Sequence, residues 1–165
     1  MTTRTFRAFS TAAGVAALAA VFATPAMTHH SFAMYDQSKV VTLTGVMKQF
    51  VPQANHAELH FYALAPDHKS LAKGTDGKNV EWGVEMAGTA QLERQGITAA
   101  TFPVGTVFSV KLNPLRDGSN FGARVGTSAI ARCPTDAATK RPVLPEPNKH
   151  CDSVKGHTLM AGANF

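Results

Sequence analysis

Two adjacent histidines, His29 and His30, stand between an apolar leader-like stretch and the first strand-like run, and are followed by Ser31 and Phe32. Imidazoles beside a free terminal amine make a compact set of nitrogen donors suited to copper or nickel. A proteolytic cut nearby would create that amine, and two cuts fit the residues. Cleavage after Thr28, with Ala26 at the minus-three position, frees the amine of His29. That amine and the His29 ring can chelate one copper ion, with a further histidine completing a T-shaped set. Cleavage after Ala26 meets the small-residue rule better and leaves Met27-Thr28-His29. An amine, two backbone amides and a third-position imidazole can wrap Cu(II) or Ni(II) in a square plane. The competing reading is an exposed polar tail whose histidines take copper only in vitro, or meet a partner.

His56 and His60 are the next metal candidates, since a four-residue spacing is a familiar ligand pair on a helix. Here the segment from His56 to Ala65 alternates like a strand, which separates the two by about 13 Å and denies them one shared ion. His56, beside the break at Pro52-Gln53-Ala54-Asn55, is therefore the expected partner of His29 or His30. Glu58 and His60 read as solvated face residues, and so do Glu81 and Glu85, whose other reading is a carboxylate patch with basic neighbours. Trp82 alternates with Val80 and Val84 and is expected in the core, not in ligand stacking. Arg116 and Asp117 sit in a turn where Asp has a conformational reason to be present. His150 and His157 are further donors that no pattern places.

The elements that must position these residues read as follows. Val40 to Val51 is rich in β-branched residues and makes a long, bent first strand, with Gly45 as the bulge or coil point. Ala57, Leu59, Phe61 and Ala63 face the core of the second strand, with His56, Glu58, His60 and Tyr62 opposite. Pro66 to Lys78 reads as a mobile loop, and Asn79 to Met86 as a third strand with Val80, Trp82, Val84 and Met86 inward. A short helix follows, capped by Thr89, packed through Leu92 and ended at Gly96. Val107 to Leu112 is the fourth strand and Phe121 to Ala131 the returning fifth, joined across Asp117-Gly118, which can take positive φ. Four prolines between Arg132 and Lys155 exclude regular sheet there. Gly156 to Met160 is a last short strand, before a polar, frayed end at Phe165. The order of strands, with one helix between the third and fourth, predicts a mainly β fold: a small, five- to six-stranded, OB-like Greek-key barrel. A β-sandwich, the rival, normally needs about seven strands and no helix at that place.

The chain of 165 residues has room for one domain, 29–165, after a signal peptide, 1–28. Arg4 and Arg7, the apolar run from Thr11 to Phe22 and the small residues after Pro25 have the form of an export signal. The run is short for a membrane span, and no later stretch is longer. The formal charge of +5 includes both signal arginines; without them 14 basic residues face 11 acidic ones. That balance and the lack of a basic block argue against nucleic acid as a partner. Cys133 and Cys151 are expected to pair in an oxidising compartment, a closure contributing about 3 kcal/mol. No nucleophile elbow, His-Glu-x-x-His, phosphate loop or isolated reactive cysteine is present, so no residue is assigned a catalytic role.

His29-His30-Ser31-Phe32-Ala33-Met34-Tyr35-Asp36, the Val41 to Val46 strand, Asn55-His56, Trp82 with Glu85, Leu92 and Gly96, and Pro114 to Gly118 carry a resemblance. Together they resemble a family of small exported proteobacterial proteins, classed as a domain of unknown function and marked by a His-His-Ser-Phe start. The resemblance covers the mature chain to about Ala131 and implies a periplasmic location, with no activity, substrate or cofactor attached. Ala54-Asn55-His56 departs from the usual Asn-Pro-His, Pro52 stands where an aromatic residue is often seen, and Thr28 replaces the alanine that commonly precedes the histidines. The segment from Cys133 to Cys151 looks like an addition. The expectation is thus a periplasmic or secreted binding protein, not an enzyme. It would hold copper through His29 and His30 with His56, or else take a non-metal small ligand or an envelope protein. Intact-mass measurement of the exported protein is expected to place its first residue at Met27 or His29; a mass retaining residues 1–26 removes the free-amine chemistry.

Overall fold

The structure, a computed structural model, describes residues 32–126 and 130–160. The signal stretch, both candidate cleavage points, His29, His30, the side chain of Phe32 and the polar end after Met160 lie outside the described residues. A 3-10 turn, Phe32–Met34, leads into β1 (Val41–Val51), β2 (Glu58–Ala63), β3 (Glu81–Glu85), the helix α1 (Thr89–Arg94), β4 (Val107–Pro114) and β5 (Phe121–Arg124). Then come β6 (Ile130–Arg132), a second 3-10 turn at Cys151–Ser153, and β7 (Thr158–Leu159). The sheet runs β1-β2-β3-β5-β4, with β6 and β7 beyond β4, and β1 also pairs with β4. That last pairing closes a five-stranded barrel. β3 and β5 are parallel neighbours and the other pairs are antiparallel, so the expected OB-like Greek-key barrel is the fold observed.

Closure depends on β1 serving two partners. Gly45 pairs with Ala63 of β2 and Phe108 of β4, and Val46 pairs with Tyr62 and Val107. A Cβ at Gly45 would run into the Phe61 ring and the carbonyl oxygen of Tyr62. The bulge expected at Gly45 lies instead between Met47 and Gln49; Gly45 is needed for close approach at the coil of the strand. β2 alternates as its pattern requires, with Leu59, Phe61 and Ala63 buried and Glu58, His60 and Tyr62 partly exposed. Inside the barrel Phe108 meets Phe61 and Phe102 edge-on, at centroid distances of 5.1 and 5.6 Å. Leu92 of α1, with Ile97 and Phe102 after it, belongs to the same core cluster. Trp82 packs against it from a partly buried position.

Three local expectations are corrected. Thr89 does not cap α1: Gly88 takes the cap position, and the Thr89 hydroxyl donates to the carbonyl of Gln53 at 2.8 Å. The fifth strand is two pieces, because β6 meets β4 in a register four residues displaced from that of β5. The connection after β2 is tied down by Leu64–Leu71 and Lys73–Asn79 bridges, and it buries His68. Among the described residues no helix is long and apolar enough to cross a membrane.

Cys133 and Cys151 form the expected disulfide. A hydrogen-bonded series seats it on the barrel. The Cys151 N–H donates to Ser109 Oγ at 2.8 Å, Ser109 Oγ lies 2.7 Å from Thr44 Oγ1, and Thr44 Oγ1 lies 2.9 Å from His150 Nδ1. The Cys151 amide donates at one end of this series, and the His150 ring nitrogen closes it at the other. Burial, with His68 and Lys111 nearby, holds the His150 pKa below its usual value, against the opposing charge of Asp152. The unfolded chain therefore takes up a proton that native His150 refuses, so stability is lost as the pH falls below about 6.5. Urea unfolding across a pH series should show this decline, and His150→Asn should flatten it above the range where Asp36, Asp117 and Asp136 protonate. An unchanged slope would show that His150 does not govern it.

Candidate functional site

At one end of the barrel, where β1 and β3 finish, β2 begins and the β4–β5 turn lies, three polar side chains from separate segments converge. Tyr35 is 1% exposed and bridges Leu115 in the β4–β5 turn. Around it Asp36 N–H donates to the Pro114 carbonyl at 2.8 Å, Arg116 N–H to that of Met34 at 3.0 Å, and Arg116 Nε to that of Ala33 at 3.0 Å. Gly118, with φ of 82°, and an Asp117 side chain accepting the Ser119 N–H at 2.8 Å set the turn that presents Arg116. The residues expected only to make a turn thus also hold the segment that leads in from the histidines.

Fixed in this way, the Tyr35 hydroxyl donates to Glu85 Oε2 at 2.9 Å, while Glu85 Oε1 lies 3.2 Å from His56 Nδ1. Burial of Tyr35 comes first in pushing its pKa well above the tyrosine range, followed by the Glu85 hydrogen bond and charge and then the charge of Glu58. The phenol stays protonated and works as a donor. Glu85 stands opposite Glu58 in the β2–β3 register, a like-charge pair that is costly by itself. Each carboxylate has its own basic neighbour: His56 for Glu85, and for Glu58 the Nε2 of His60 at 2.8 Å. The row continues with His60 Nδ1 at 3.7 Å from Glu81, whose carboxylate holds Lys48 Nζ at 2.6 and 2.8 Å.

This changes the reading of four residues. Glu58, His60, Glu81 and Glu85 are paired members of one polar row on the outer face of β2 and β3, not singly solvated charges. His56 lies at the start of β2, as expected, with its side chain 42% exposed. His56 and His60 do not converge: they are engaged by different carboxylates. Tyr35 was absent from the sequence-derived site, although it lies within the motif that begins at His29; its role depends on the turn that packs over it. His150 and His157 are engaged elsewhere, with Thr44 and with the Val154 carbonyl.

The Glu85–His56 pair has the form of a carboxylate that orients a metal-binding histidine. When Nδ1 donates to the carboxylate, Nε2 is the acceptor atom left to a ligand. Among the described residues no group of three or more His, Cys, Asp or Glu side chains is placed to hold a metal ion. Replacing Tyr35 by Phe removes a buried donor from Glu85 and is expected to lower the unfolding free energy by about 1–2 kcal/mol. In a urea double-mutant cycle with Glu85→Ala the two changes should couple by about 1 kcal/mol; additive effects would contradict the bond's contribution.

No curated protein and no solved structure matches the chain. One family model does, over residues 17–124, a range that takes in His29, His30, Tyr35, His56, Glu85 and Arg116 but stops short of Cys133 and the stapled segment. The chain belongs to that family, described as a family of unknown function (DUF6152).

Proposed function

We propose that this protein is exported to the periplasm and works there as a binding protein, taking copper through His29 and His30 with His56 as a further ligand. The observation that carries this reading is the Glu85–His56 pair: Glu85, held in turn by buried Tyr35, lies 3.2 Å from His56 Nδ1 and so leaves Nε2 of that ring to a ligand. His30 precedes Tyr35 by only five residues in the sequence. Copper bound at such a nitrogen-rich set would be carried or buffered. The disulfide suits an oxidising compartment. The three carboxylates on the β2–β3 face, where OB barrels commonly take oligonucleotides, disfavour nucleic acid as the partner.

A second reading has its own support. His56 and Glu85, with Tyr35, also act as a clamp for the Phe32–Met34 segment, a role that needs no metal. On that reading the histidine start closes one end of a barrel that takes a small non-metal ligand or an envelope protein. Cu(II) titration followed by electron paramagnetic resonance separates the two. The copper reading expects a nitrogen-rich signal that disappears in the His29→Ala, His30→Ala double variant, and an affinity about tenfold weaker in His56→Ala. A signal and affinity unchanged by the double variant would reject it.

A further inference from the structure

At the other end of β4, between the turn at Pro103-Val104-Gly105 and the hairpin that the Thr135–Pro142 bridge closes, the surface opens into a cleft of about 460 Å³. Its size falls in the range of small-molecule sites. The cleft is separate from the Tyr35–Glu85–His56 cluster and shares no residue with it. The disulfide forms part of its wall through Cys133, so the stapled segment beyond the family match builds one side.

Its charge is one-sided. Arg132 and Lys140 both line the cleft, and no aspartate or glutamate does. Arg132 Nη1 donates to the Thr101 carbonyl at 2.7 Å, which ties the guanidinium to the wall while spending one of its five donors. Among the described residues neither Arg132 nor Lys140 forms an ion pair. The nearby carboxylate of Asp136 is turned into its own hairpin, where Oδ1 accepts from the Ala138 and Thr139 amides and the Thr139 hydroxyl. Lys140 is carried on that hairpin in a left-handed conformation, φ 57°, with its amide donating to the Asp136 carbonyl at 2.9 Å. The rest of the lining mixes Thr106 and Thr135 with apolar Pro103 and Val104, and Val104 is 77% exposed.

We infer that this cleft binds a small organic anion, a carboxylate whose head meets Arg132 and Lys140 and whose short apolar body lies along Pro103 and Val104. A guanidinium with free donors matches a carboxylate in geometry as well as charge. The apolar rim gives a reason for an organic anion over an inorganic one.

The test uses the exported protein and sodium hexanoate as the probe, with 1-hexanol as its uncharged counterpart, followed by amide shifts in nitrogen-edited NMR. Hexanoate should bind saturably and move the amides of Val104, Thr106, Arg132 and Cys133, while 1-hexanol leaves them in place. Arg132→Gln should weaken hexanoate binding about tenfold. Lys140→Gln, which changes an exposed side chain with no ion pair, should weaken it about threefold without altering the melting temperature. Absence of saturable hexanoate binding, equal binding of 1-hexanol, or an affinity unchanged in both variants would overturn the inference.

Discussion

The double pairing of β1 is the constraint on which the rest of this structure depends. A strand of eleven residues must hydrogen-bond to β2 along one edge and to β4 along the other, and at Gly45 and Val46 it does both at once. Only a residue without a side chain fits at Gly45, against the Phe61 ring and the Tyr62 backbone. Closure removes two sheet edges and encloses the Phe61–Phe108–Phe102 cluster. It also settles which loops meet at each end of the barrel, and so which side chains can meet.

At one end that geometry assembles a polar row from residues far apart in sequence. Two glutamates directly opposed on β2 and β3 would repel each other; histidines on either side and a buried phenol give each carboxylate its partners. The arrangement is both a clamp on the incoming segment and an orienting device for His56. A carboxylate that fixes a histidine's tautomer serves packing and ligation through the same bond, which is why the clamp and copper readings share residues.

The stapled segment is a separate layer. It lies beyond the family match, yet its attachment reaches into the barrel wall through Ser109 and Thr44, which belong to β4 and β1. Hydroxyls on neighbouring strands join a disulfide amide at one end to a histidine at the other. Through that attachment the segment, which lies outside the range of the family match, supplies one wall of the cationic cleft.

Much of the barrel was legible in the residues themselves. The alternation of Leu59, Phe61 and Ala63 against Glu58, His60 and Tyr62 is a period-two signal that burial must satisfy, and the helix between the third and fourth strands pointed to the OB-like order. The disulfide followed from there being two cysteines in a chain with an export-like start. What the sequence alone left undecided was pairing across distance. That Glu85 meets Tyr35 and His56 depends on register between strands and on a turn packing over a 3-10 segment, and neither leaves a periodic trace along the chain. The site's residue types were visible in the sequence, but only the closed barrel decided their partners. The 2.9 Å hydrogen bond between Tyr35 and Glu85, 50 positions apart, exists only once the strands between them have been ordered.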